Sequence, residues 1–103
     1  MATFRTIQRE TSALTGTTSW SIPSTSKLQI TLGNPLTVTG GSLVFRGKAT
    51  ATSAFEAITG DDTIACGTPL TLTIENNRLI ELECVSTATG TASAVVLDIV
   101  AWD

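Results

Sequence analysis

The fold class is decided by residues 69–85, whose sequence is PLTLTIENNRLIELECV. Apolar and polar side chains alternate before and after the two asparagines, which is the two-residue period of strands with one buried face. If Arg78 is counted into the turn, Leu72 pairs with Leu82 and every apolar side chain falls on one face of the pair. The stretch therefore predicts a β-hairpin with a three-residue or bulged turn.

The same two-residue period recurs along the rest of the chain. Lys27–Leu32 alternates strictly, and the pair Gly40-Gly41 stands between two alternating runs, which predicts a second hairpin. Ala94–Trp102 is apolar on both faces, as is typical of a central strand or of a strand whose second face meets a partner. Asp98 lies in that strand, where a carboxylate on a covered face requires a polar partner.

These patterns together predict an all-β protein, either an antiparallel β-sandwich or a small jelly-roll-like barrel of about seven or eight short strands. Residues 14–103 are expected to form this single domain. Residues 1–13 are polar and mixed, with Phe4 and Ile7 as the only large apolar side chains. That spacing suits one helical turn or an extended arm, and a frayed terminus is the ordinary alternative. We take residues 1–13 as an N-terminal arm.

The composition is unusual in its low charge and its many hydroxyl side chains. Charged residues make up 15% of the 103 residues, whereas about 25% is usual in soluble domains, and 20 threonines and 9 serines are present. Either threonine simply occupies strands, or neighbours in an assembly cover much of the surface. The net charge of −3 and the scattered basic residues argue against a nucleic-acid partner.

No signal for membrane insertion or export is present. No apolar run approaches the roughly 20 residues that span a bilayer. Arg5, Gln8 and Arg9 interrupt any signal-peptide core near the first residue. We therefore expect the protein to be made in the cytoplasm, to bind no membrane, and to leave the cell only inside an assembly.

Residue combinations that carry catalysis are missing. The chain has no histidine, which removes the commonest general base and the usual partner of a serine or cysteine nucleophile. Glu81 and Glu83 are expected to share the solvent face of one strand rather than a cleft. Cys66 and Cys84 are expected to be small buried thiols in a reducing compartment, not a disulfide or a metal site. We expect no catalytic residue, no cofactor, no metal and no enzymatic activity.

The chain resembles the small all-β decoration, or cement, proteins of tailed bacteriophages. The resemblance covers the whole chain in composition and architecture: it is acidic and rich in Thr, Ser, Ala, Gly and Val, with a polar N-terminal arm and an apolar last strand. It implies a virion structural protein that binds the outside of the capsid, often as a trimer, and stabilises the shell. The expected capsid contacts are Phe4, Arg5 and Ile7. The expected contacts between subunits are Val96, Val100 and Trp102.

Two other functions fit the same sequence. A phage tail, neck or fibre component would have the same features, since a sandwich of this size serves any of those positions. A carbohydrate-binding module is suggested by Trp20 and Trp102, because exposed indole rings stack on sugars.

Overall fold

The structure is a computed structural model, and it describes residues 5–58, 62–66, 71–75 and 79–103. Within these ranges the chain forms β-strands and turns, and it contains no helix long and apolar enough to cross a membrane. The strands are β1 (Arg5–Ala13), β2 (Thr15–Ser21), β3 (Lys27–Leu32), β4 (Val38–Gly40), β5 (Ser42–Lys48), β6 (Glu56–Ala57), β7 (Thr63–Ala65), β8 (Thr71–Glu75), β9 (Glu81–Thr87), β10 (Thr89–Gly90) and β11 (Ala94–Trp102).

The strands form two main antiparallel sheets. Sheet I has the order β1-β11-β3-β8, and sheet II has the order β2-β9-β5-β6, with β7 also paired to β5. The short strands β4 and β10 form a separate pair. The predicted all-β, antiparallel sandwich is confirmed. The strand number exceeds the prediction because β4, β6, β7 and β10 contain only two or three residues each.

The core lies between the two sheets, because alternate residues of each strand point inward. In sheet I the inward side chains include those of Leu28 and Ile30, and in sheet II those of Leu43 and Phe45, all with 0% of their surface exposed. Burying an apolar side chain of this size stabilises the fold by about 1.5–3 kcal/mol. The sandwich is therefore held together mainly by this shared apolar layer.

The predicted hairpin at residues 69–85 is wrong, although both of its strands exist. Leu72 in β8 pairs with Ile30 of sheet I, whereas Leu82 in β9 lies between Trp20 and Gly47 in sheet II. Both edges of β9 are occupied by β2 and β5, so β8 pairs instead with the open edge of β3. Alternation specifies which face is buried, and a chain that crosses between sheets satisfies it as well as a hairpin does.

The predicted hairpin at Gly40-Gly41 is also wrong. β4 pairs with β10, while β5 pairs with β9, so the two glycines lie where the chain passes from one pair to another sheet. Gly41 has a φ of 78°, a left-handed backbone conformation that glycine adopts without steric cost. The two glycines indicate a sharp turn, but they do not indicate which strand pairs with β5.

The N-terminal segment differs from the predicted arm over residues 5–13. These residues form β1, which pairs with β11 along its whole length and is an edge strand of sheet I. Its inward positions Gln8, Glu10 and Ser12 are polar, so the sequence lacks the apolar alternation that marks a strand. They are accommodated at the sandwich edge, where Gln8 binds Glu10 and Ser12 Oγ lies 3.2 Å from Thr18 Oγ1. The predicted contact residue Phe4 lies outside the described residues.

The last strand takes the central position that its sequence predicts. β11 lies between β1 and β3 in sheet I. Val95, Leu97, Ile99 and Ala101 are buried in the core, and the intervening side chains are half-buried on the opposite side of the sheet. That opposite side contains the candidate functional site.

Candidate functional site

Sheet I has one face against the core and one face toward solvent, which we call the outer face. Strand alternation places on it the odd-numbered residues of β1 and β3 and the even-numbered residues of β11. Its described side chains on these three strands are Ile7, Arg9, Thr11, Ala13, Lys27, Gln29, Thr31, Ala94, Val96, Asp98, Val100 and Trp102. All of them keep contact with solvent.

Apolar side chains run across this outer face. Ile7 stands opposite Val100 in the β1–β11 ladder, and 73% of its surface is exposed. Val100 and Trp102 are consecutive outer-face residues of β11, Val96 lies beyond Asp98 on the same face, and all three are half-buried. Cross-strand neighbours on one face are about 5 Å apart, so Ile7 and Val100 form one apolar surface.

The structure brings together residues that the sequence assigned to two separate contacts. Ile7 was predicted to contact a capsid, and Val100 to contact another subunit, but the two are direct neighbours on the outer face. The backbone of Arg5 likewise lies opposite Trp102. The outer face is therefore one surface, which a single partner can cover.

Asp98 has the polar partner that its position requires. Arg9 Nε donates to Asp98 Oδ1 at 2.7 Å, and Arg9 Nη2 donates to Oδ2 at 3.1 Å. The hydrogen bond from Arg9 lowers the pKa of Asp98, and it raises the pKa of Arg9. The sequence identified Asp98 but not Arg9, because their contact depends on the pairing of β1 with β11. This ion pair keeps the middle of the outer face polar, between Val96 and Val100.

Asp98→Asn should remove a small, pH-dependent part of the stability. The pKa of Asp98 is lower in the folded protein than its ordinary value of 3.8. The carboxylate therefore stabilises the fold above that value, and the contribution is lost as the pH falls through the lowered pKa. Urea unfolding at neutral and at strongly acid pH should show a difference between the variant and the wild type that shrinks in acid. In the Arg9→Gln background the substitution should have no such effect, and a difference independent of pH would contradict this account.

The two tryptophans do not form a sugar-binding surface together. Trp20 lies in β2 of sheet II and packs against the core, whereas Trp102 lies in β11 on the outer face of sheet I. Binding a sugar chain calls for aromatic rings exposed on a common surface. The arrangement therefore gives no support to a carbohydrate-binding module.

The thiols are placed as small apolar residues. Cys84 is buried, and its burial raises the pKa of the thiol to about 12. Cys66 is half-buried, and both cysteines are free thiols. A protonated thiol is a weak nucleophile, so Cys84 is unsuited to covalent chemistry near neutral pH. Among the described residues no group of three or more Cys, Asp or Glu side chains could hold a metal ion.

An open recess of about 370 Å³ lies at one end of the sandwich, beside the segment that follows β5. Lys48 is among its lining residues, and its Nζ lies 2.9 Å from Glu81 Oε2 and 4.9 Å from the centre of the Phe55 ring. The ammonium group is therefore already paired within the protein. The recess offers no unpaired charge to a ligand from this lysine.

Comparisons with known proteins show the fold and no family. The sequence matches no protein-family model and no curated protein. The SPBc2 prophage-derived protein YomS has a similar structure, with a TM-score of 0.67 and 13% identity over 100% of this chain and 98% of that one. The core of Drosophila NLP gives a TM-score of 0.49 at 13% identity, over 97% of this chain and 98% of that chain. A protein of Bacillus endospore appendages, which are described as disulfide-linked pili, gives a TM-score of 0.47 at 15% identity, over 97% of this chain and 86% of that chain. The chain thus shares its fold with a prophage-derived protein.

Proposed function

We propose that the protein is a non-enzymatic structural protein of a phage virion, and that it attaches through the outer face of sheet I. The observation that carries the proposal is the apolar surface of Ile7, Val100 and Trp102 on a sheet face that is in contact with solvent, with Val96 on the other side of the Arg9–Asp98 ion pair. Isolated exposed apolar residues are common, but a group of neighbouring apolar residues on a solvent-facing sheet is typical of a protein-binding surface. The fold likeness to a prophage-derived protein supports the phage setting.

The partner that fits this surface best is the major capsid protein, with this chain as a decoration or cement protein. A solvent-facing sheet with apolar side chains suits a contact on the outside of a shell, and the sparse charge of the chain suits a protein that is largely covered by neighbours. A tail, neck or fibre position is the alternative, and it would use the same face. The site of action is the virion in either case.

Replacing Ile7 and Val100 together by serine should weaken attachment to particles. Both side chains point away from the core, so the fold should persist, while the partner loses its central apolar contact. We expect binding to particles that lack the protein to weaken by at least about tenfold, which corresponds to about 1.4 kcal/mol. Co-sedimentation of the purified variants with such particles measures this, and circular dichroism checks the fold.

Leu36→Ser is the matched control, because Leu36 is 92% exposed but lies in the turn between β3 and β4 rather than on the strands that form the outer face. It should bind as the wild type does. Equal binding by the double variant and the wild type would overturn the role of the outer face. Electron microscopy of particles with bound protein separates the positions: density on the shell supports decoration, and density on the tail or neck supports the alternative.

A further inference from the structure

The edge strands of the two sheets differ in how well they are protected against pairing with a strand of another molecule. Proteins guard edge strands with charged residues, prolines, inward-pointing charges or very short strands. β1 carries Arg9 and the inward-pointing Glu10, and β8 ends at Glu75. β6 and β7 contain only two and three residues. β2 is the exception: its seven residues, TGTTSWS, include no charged residue and no proline, and it is the outermost strand of sheet II.

The ladder with β9 shows which backbone groups of β2 point away from that strand. Ile22 N donates to Ile80 O at 3.0 Å, and this pair continues the register in which Trp20 stands opposite Leu82. In an antiparallel ladder, hydrogen-bonded and non-hydrogen-bonded residues alternate. The even-numbered residues of β2 therefore bond to β9, and the odd-numbered ones point their N–H and C=O groups away from it. In agreement, Ser21 O accepts a hydrogen bond from Gln8 Nε2 at 3.1 Å.

We propose that β2 pairs with β2 of a second copy of this chain, antiparallel, about a two-fold axis at Thr18. In this register Thr17 lies opposite Ser19 of the other copy, and Thr15 opposite Ser21, each pair occurring twice. These are the residues whose backbone groups point outward, so each such pair exchanges its N–H and C=O groups. Ser21 O, which already accepts from Gln8 Nε2 in its own copy, takes the second hydrogen bond on its other lone pair. No other register overlaps all seven residues. Sheet II then continues across the axis into the second copy.

The side chains of β2 are complementary to themselves in this register. Trp20 lies opposite Gly16 of the other copy, so the half-buried indole covers a position that has no side chain. Gly16 has a φ of 142°, which disfavours any other residue there, and an aromatic residue across from an edge glycine stabilises a strand pair. On the other side of the strand only hydroxyl side chains meet, and no like charges oppose each other.

The pairing does not depend on the virion function proposed above. It uses the edge of sheet II and leaves Ile7, Val100 and the rest of the outer face of sheet I accessible in both copies. It commits the protein to a two-fold, isologous contact rather than to a trimer.

The test is the mass of the protein in solution, measured by light scattering after size exclusion from about 10 µM to about 1 mM. The wild type should approach the dimer mass as concentration rises. Thr17→Lys/Ser19→Lys places like charges opposite each other twice across the axis and should weaken the dimer by about tenfold or more, about 1.4 kcal/mol. Thr17→Lys/Ser19→Glu places opposite charges there and should restore the dimer. Thr17 and Ser19 are both exposed, so each variant should fold, which circular dichroism verifies.

Comparing the Lys/Lys and Lys/Glu variants distinguishes this register from registers in which the two strands are shifted. If the strands were shifted so that Thr17 faced Thr17, the Lys/Glu variant would still bring two lysines together and would stay dissociated. A monomeric wild type at the highest concentration, an undissociated Lys/Lys variant, or a Lys/Glu variant without rescue would each overturn the proposal. A blue shift of the indole fluorescence on dimerisation, lost in Trp20→Phe but kept in Trp102→Phe, would support it.

Discussion

Phe45→Ala should lower the free energy of unfolding by about 3–5 kcal/mol, since it removes a fully buried aromatic ring and leaves a cavity. Phe45 has 0% of its surface exposed and is the largest fully buried side chain among the described residues. It projects from β5 into the layer between the two sheets, where it stands opposite Cys84 on β9. Equilibrium unfolding in urea, followed by circular dichroism, measures the loss.

Val44→Ala is the matched control for this substitution. Val44 is the preceding residue of β5, and it is half-buried on the other face of sheet II. Val44→Ala should lower the free energy of unfolding clearly less than Phe45→Ala does, because a partly solvated side chain leaves no closed cavity. Phe45→Leu should also cost less than Phe45→Ala, since it fills more of the space. Similar losses for Phe45→Ala and Val44→Ala would show that the layer between the sheets is not the main source of stability.

The sequence predicts which side chains of the strands are buried, but not which strands pair. Leu72 and Leu82 were both assigned to a buried face, and both are in the core. They were assigned to one hairpin, yet they lie in different sheets. The reason is physical: alternation records the side of the strand that meets the core, while pairing depends on which edges are open elsewhere in the fold. The edges of β9 are taken by β2 and β5, which are distant in sequence.

The candidate site could be predicted in part for the same reason. Val96, Val100 and Trp102 share one face of a single strand, so their grouping follows from alternation alone. The addition of Ile7 and of the Arg9–Asp98 ion pair depends on β1, whose inward residues are polar. A strand at the edge of a sandwich tolerates such residues, because water and neighbouring side chains satisfy them there. Its sequence therefore resembles a loop or an arm.

Gly41→Ala should destabilise the protein by at least about 3 kcal/mol. The φ of 78° at Gly41 costs a residue with a side chain about 1–3 kcal/mol. In addition, a Cβ at this position would overlap the carbonyl group of Thr87 and lie 2.8 Å from Ala88 Cα, so backbone atoms at the end of β9 must move. The total free energy of unfolding of natural domains is about 5–15 kcal/mol. The variant should therefore unfold at a much lower temperature than the wild type, as thermal melts would show.

Gly40→Ala provides the comparison that assigns the loss to backbone strain rather than to glycine in general. A Cβ on Gly40 would approach Thr89 Oγ1 at 2.5 Å, but this is the end of a side chain that can rotate, and Gly40 has no positive φ. We therefore expect Gly40→Ala to lower the free energy of unfolding by only a fraction of the loss in Gly41→Ala. The Gly41 carbonyl also accepts a hydrogen bond from Cys66 N at 3.0 Å, so strain at Gly41 should extend toward β7 and expose Cys66 to thiol reagents. If both variants melted alike, the passage of the chain from β4 to β5 would not depend on the left-handed conformation of Gly41.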